Sequence, residues 1–193
     1  DSGAVNIIRF NGMNFSRNWP VYFDSLYFSW SASPSLFLNK NNSDSTFFIV
    51  PLDKYSVSTE RLHKFILFDI HGNIIKYSYQ LTVHDYGTFV MGDLDGDKNV
   101  DYSSGTQYGN TLSAFDNNLI LNKFWPAWGN GEEYATSVIC KLSNNDQMNI
   151  ISNRWSAEEG TGNGYIYVYN LNAVNLPWSP LRPHGISKSI SIC

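Results

Sequence analysis

The chain has little charge, few cysteines and no long apolar run, and each shortage narrows what it can be. Only 16% of its 193 residues are charged, and the 13 Lys and Arg are scattered singly under a net charge of −4. A nucleic-acid binder takes most of its affinity from basic side chains facing phosphates, so no nucleic-acid partner is expected. No apolar run approaches the roughly eighteen residues that a spanning helix needs, so no membrane span is expected either. The Asp1-Ser2-Gly3 start lacks the basic and apolar regions of an export signal, and any such signal is expected to have been removed. Also missing is a sustained i, i+3, i+4, i+7 apolar pattern, which leaves very little room for helix.

What is present is aromatic and turn-forming. The chain holds 6 Trp, 12 Tyr and 12 Phe, with Asn, Ser and Gly crowded between apolar runs. Aromatic and β-branched runs suit a pleated, half-buried surface, and Asn and Gly suit the turns between strands. The expected class is all-β, built as one domain over residues 1–193, with hydrophobic content of 42% sufficient for a substantial core.

A repeat runs through it. Trp19-Pro20 recurs as Trp125-Pro126, 106 residues on, and as Trp178-Ser179-Pro180, a further 53 on. Before each lies an apolar strand closing on an aromatic and an Asn or Asp: Phe10-Asn11, Phe115-Asp116 and Tyr169-Asn170. Phe68-Asp69 fills the double gap, with Tyr77 where the other copies carry Trp. Copies therefore start near residues 4, 64, 111 and 165. Each reads as one four-stranded antiparallel sheet, the unit that repeats radially in a β-propeller. A β-sandwich would also show turns at short spacing, but gives no reason for Trp-Pro to recur in phase. The expected architecture is a β-propeller of about three full blades plus part of a fourth, belonging to a larger ring or one completed by another chain. On this reading Trp19, Trp125 and Trp178 seal the space between blades.

In these phrases the sequence resembles the FG-GAP or VCBS type of propeller repeat found in integrin-like heads. Asn11-Gly12, Trp19-Pro20 and Ser33-Pro34 carry the resemblance in the first copy, and Gly92-Asp93-Leu94-Asp95-Gly96-Asp97 in the second. The resemblance implies a calcium-stabilised, extracellular module.

The acidic loop supports that implication by its own chemistry. Calcium takes six to eight oxygen ligands, and a short loop can supply them when carboxylates alternate with other residues. Asp93, Asp95 and Asp97 stand at positions one, three and five; Asn99 offers a backbone carbonyl at seven, and Asp101 a carboxylate at nine. An EF-hand would need a Glu at position twelve, where this chain has Ser104. Family loops have a second Gly where Lys98 stands, so a left-handed backbone there would cost about 1 kcal/mol. The other copies have lost their acids, as in Asn39–Asp44 and Lys141–Asp146, so one bound Ca2+ is expected, bracing a loop rather than activating water.

No catalytic set is visible. Cys140 and Cys193 share one repeat position, too far apart on neighbouring blades for a disulfide, and are expected as buried free thiols. His63, His71, His84 and His184 show no ligand or nucleophile–base spacing. Glu132-Glu133 and Glu158-Glu159 sit in Gly-flanked polar stretches as solvated charges. The aromatics outside the repeat, Trp128, Tyr134 and Trp155, are the candidate ligand contacts, placed in loops beside polar groups. The expected function is a secreted or cell-surface binding or scaffold module engaging a protein or glycan. The alternatives are a fragment of an extracellular polysaccharide-degrading enzyme and a structural subunit of an extracellular assembly.

Overall fold

An apolar run in which aromatic and β-branched residues dominate is stable as a strand only when its faces are covered by other strands. The computed structural model describes residues 3–5, 21–23, 27–28, 34–37, 46–54, 62–78, 89–105, 111–128, 134–142, 147–155 and 164–182. Among these residues there is no helix, and the apolar runs are strands throughout. They are β1 (Gly3–Val5), β2 (Val21–Phe23), β3 (Tyr27–Phe28), β4 (Ser35–Phe37), β5 (Phe47–Lys54), β6 (Leu62–Asp69) and β7 (Ile74–Tyr77). Then follow β8 (Val90–Gly92), β9 (Asp101–Gly105), β10 (Thr111–Phe115), β11 (Ala127–Trp128), β12 (Tyr134–Lys141), β13 (Met148–Trp155) and β14 (Gly164–Tyr169).

All pairings are antiparallel, and all but that of β3 with β5 join consecutive strands. β1 pairs β2; β3 and β4 both pair β5, which continues to β6 and β7; β8 to β11 form a four-stranded meander; and β12 to β14 form a third, extended at its outer edge by the bridge from Ile166 to Leu181. No described sheet closes on itself. Pro51 lies inside β5 without breaking it. Its cross-strand neighbour Phe65 turns both backbone groups toward Ser78, so the Pro51 nitrogen faces away, toward the edge where the partner strand is in two pieces, β3 and β4.

The first strands of consecutive sheets lie side by side, β4 near β8 and β8 near β12. Ser35 Oγ donates to the Phe89 carbonyl at 2.6 Å, tying β4 to the residue just before β8. Gly92 of β8 faces Ile139 of β12, where a Cβ would stand 3.4 Å from Ile139 Cγ2 in ordinary contact.

Between the sheets lie two apolar layers. In one, Phe65 of β6 meets Phe89 and Phe115 edge-on, at centroid distances of 4.5 and 5.3 Å, with Ile49, Leu67, Tyr102 and Leu119 around them. In the other, Leu112, Ala114 and Trp125 pack on Ile150 and Tyr169. Strands β9 and β10 stand between the two layers and are buried along their whole length. Their small residues, Ser103, Ser104, Ser113 and Ala114, leave room for both neighbouring sheets. Loss of one such aromatic to alanine costs about 3 to 5 kcal/mol.

Three of the four expected copies fall on described strands, where the unit is not one sheet; the first lies largely outside the described residues. The copies that start near 64, 111 and 165 begin on β6, β10 and β14, which are third strands. Each copy therefore supplies the outer half of one sheet and the inner half of the next. The turn that closes each third strand is the same in all three. Asp69 accepts from the amides of His71 and Asn73, Asp116 from those of Asn118 and Ile120, and Asn170 from those of Asn172 and Val174. Three residues after the capping Asp or Asn the backbone is left-handed, at φ 88° for Gly72, 62° for Leu119 and 59° for Ala173.

The hydrogen bonds also correct the tryptophan alignment. After the turn, Asn122 and Leu176 donate to Ala114 and Val168, and Trp125 and Ser179 then donate back to Asn122 and Leu176. Trp125 thus corresponds to Ser179, and Trp178 to Phe124. Trp125 does seal two sheets: it is 4% exposed, packs on Tyr169 and donates its indole N–H to the Leu171 carbonyl. Trp178 does not, being 50% exposed. Trp19 lies outside the described residues.

Candidate metal centre

Strands β8 and β9 are joined by residues 93–100, and the loop is shaped almost wholly by its own acids. Asp93 accepts from the amides of Gly96 at 2.7 Å and Lys98 at 3.1 Å, while Asp95 accepts from Asp97 at 3.0 Å. Gly96 takes φ 87°, open to glycine at no cost, and Lys98 takes φ 69°, which a side chain resists. Lys98 thus adopts the left-handed backbone whose cost the sequence reading gave conditionally.

Asp101 differs from the rest. It opens β9, is 2% exposed, and accepts from the Leu94 amide at 2.9 Å. Leu94 is itself buried, in the layer with Leu112 and Trp125, so apolar packing pins one end of the loop over the carboxylate. Burial, backed by the charges of Asp95 and Asp97, pushes the Asp101 carboxyl up to about 6 against the opposing Leu94 donation.

The fold brings together Asp93, Asp95 and Asp101, each offering a carboxylate oxygen within 4.8 Å of the others. Asp97 and Asn99 pair with each other instead. The Asn99 amide and side chain donate to the two Asp97 carboxylate oxygens at 2.7 and 2.8 Å, which holds the Asp97 carboxyl below its usual range. The donor set fits a hard divalent cation: three carboxylates converge, one of them buried where a lone negative charge is costly.

Comparison with known family models, curated proteins and solved structures finds no match. The geometry of the chain itself therefore carries the functional reading.

Beside the loop runs a cleft lined by Leu94, Asp95, Gln147, Met148, Asn170 and Asn172, so Asp95 of the acidic triad faces the capping turn of β14. The sequence gives no local sign of this pairing, since the two segments are far apart along the chain. Trp128, Tyr134 and Trp155 stand not in loops but at strand ends, closing β11, opening β12 and closing β13. Tyr134 is registered with Arg154, so Tyr134 and Trp155 share one end of their sheet. Cys140 is a partly buried free thiol, and burial pushes its pKa up, away from nucleophilic use. Cys193, His84, His184 and both Glu pairs lie outside the described residues. His71 is an exposed turn residue.

Sequence reasoning misplaced one set of residues, setting Tyr77 and Trp178 in the repeated phrase of sealing aromatics and passing over Phe124. Eight positions after each capping Asp69, Asp116 and Asn170 stand Tyr77, Phe124 and Trp178, which are 53%, 55% and 50% exposed. The shared offset was the available signal, hidden because Trp125 follows Phe124 and attracts the alignment to itself.

Proposed function

We propose that this chain is a calcium-braced binding and scaffold module of the propeller type, working outside the cell and engaging a protein or glycan. The observation that carries the reading is the convergence of Asp93, Asp95 and Asp101 between β8 and β9, the first and second strands of one meander. Three successive meanders whose first strands adjoin are what a propeller would require at its centre, and other chains or further blades would complete the ring.

Asp93, Asp95 and Asp101 would hold the Ca2+, with Asp97 and the Asn99 carbonyl as further candidates from the loop pattern. A bound cation would neutralise the carboxylates and tie the loop to β9. Three convergent carboxylates with a left-handed lysine beside them suit the weak, roughly 10⁻⁴ to 10⁻³ M affinity of extracellular modules. No described helix is long and apolar enough to cross a membrane.

The test is thermal unfolding with and without calcium. Calcium should raise the midpoint, magnesium should do so less, and Asp95→Ala should abolish the response. A midpoint indifferent to calcium in the parent chain overturns the proposal.

A further inference from the structure

The outer edges of the three meanders carry a second repeated feature that the calcium reading does not use. Phe124 and Trp178 occupy equivalent positions in the turns beyond β10 and β14, and Tyr77, at the same offset from its capping residue, lies on the edge strand β7 opposite Ile66. All three are about half exposed or more, although aromatic rings of this size ordinarily seek cover. Each edge also carries a cation against a ring. Lys64 Nζ lies 5.6 Å from the centre of the Tyr77 ring, and Lys123 Nζ lies 5.4 Å from that of Phe124. On the third sheet, the Arg182 guanidinium lies 5.1 Å from the centre of the Tyr165 ring, four residues along the chain from Trp178.

Neighbouring sheets are linked at this same rim. Lys76 of β7 donates to the Asn117 carbonyl at 2.9 Å, and Trp125 donates to the Leu171 carbonyl at 2.9 Å. Asn117 and Leu171 each follow the capping residue of the next turn. At both junctions a side-chain donor therefore meets the carbonyl that follows the next capping residue, close in the chain to the exposed rings.

We propose that this rim binds an acidic polysaccharide, each aromatic face stacking on a sugar ring and each neighbouring cation facing a carboxylate of a uronic acid. One ring per sheet suits a ligand that is itself a repeat, because successive weak contacts on one polymer add through effective concentration. The cations give charge complementarity to an anionic chain. Lys64 and Lys123 stand singly, one to a ring, and Arg182 lies on Tyr165 near Trp178, a sparse spacing that matches a polymer with one carboxylate per repeat better than a densely sulfated one. The inference names a ligand class within the binding-module reading and rests on it.

The test is affinity electrophoresis and titration calorimetry of the intact chain with hyaluronan, with chondroitin sulfate and hydroxyethyl cellulose as the sulfated and neutral arms. Hyaluronan should retard the protein most, and salt should weaken the effect. Phe124→Ala and Trp178→Ala should each weaken binding about fivefold, as expected for one stacking contact, and the double variant by the product. Because both residues are exposed, their thermal midpoints should match the parent, and circular dichroism checks that they do. Equal retardation by the neutral polymer, stronger binding to the sulfated one, binding unchanged in both variants, or no retardation at all would each overturn the proposal; the last would leave the rim to a protein partner. The calcium response is measured on the same preparation. A chain indifferent to calcium yet retarded through Phe124 and Trp178 upholds this proposal and removes only the calcium reading.

Discussion

Asp101 concentrates the chemistry of the acidic loop in one residue. Its carboxyl titrates near pH 6 in the folded chain, against an ordinary value of 3.8. The folded state therefore holds the proton more tightly than the unfolded one. The resulting stability is fully present below pH 3.8 and is lost as pH rises through about 6. In chelator, the contribution of this group to the unfolding midpoint should thus fall between pH 4 and pH 7, and Asp101→Asn should flatten that fall. In calcium the order should reverse, with the metal-induced gain in midpoint growing as Asp101 ionises. A midpoint in chelator with the same pH dependence in parent and Asp101→Asn would show that the carboxyl is not held as described. Lys98 adds a smaller effect: with φ at 69°, Lys98→Gly should raise stability by about 1 kcal/mol, read as a shift in the urea midpoint.

The capped turn is the element most clearly written in the sequence. Asp69, Asp116 and Asn170 act on amides two and four residues away, so the information is local and survives translation into a pattern of letters. Asn170→Ala should therefore cost about 1 kcal/mol, as loss of a cap does. Ala173→Gly should return a similar amount by relieving φ 59°, and urea titration of both variants checks the signs. Features decided by partners distant in sequence were harder to read. The first and second strands of each sheet come from a different copy than the third and fourth, a matter of which backbone edges meet and not of composition. The one-residue slip between Phe124 and Trp125 hid which aromatic is buried, because either could fill the phrase. In the acidic loop, the alternation of Asp residues fixed the candidates. The choice between convergence and the private pairing of Asp97 with Asn99 depended on the buried Leu94 and the strained Lys98.

Over the whole molecule, neighbouring meanders are coupled by single residues that serve two sheets. Trp125 is the plainest example, with its ring on Tyr169 and its N–H on the Leu171 carbonyl. Trp125→Phe should lose the hydrogen bond and part of the packing, costing about 1 to 3 kcal/mol. Combined with Tyr169→Leu, the cost should fall short of the sum of the two single variants, since the ring contact can be lost only once; denaturant unfolding of the four proteins measures the difference. The lapped arrangement of copies and sheets has a consequence for a divided chain. A break between Gly105 and Thr111 falls between β9 and β10, where four residue pairs from Leu112–Gly105 to Phe115–Tyr102 cross in register. Fragments parted there keep matching backbone edges and should find each other again when mixed. Fragments parted between Trp128 and Tyr134 share no described ladder and have only side-chain contacts to bring them back.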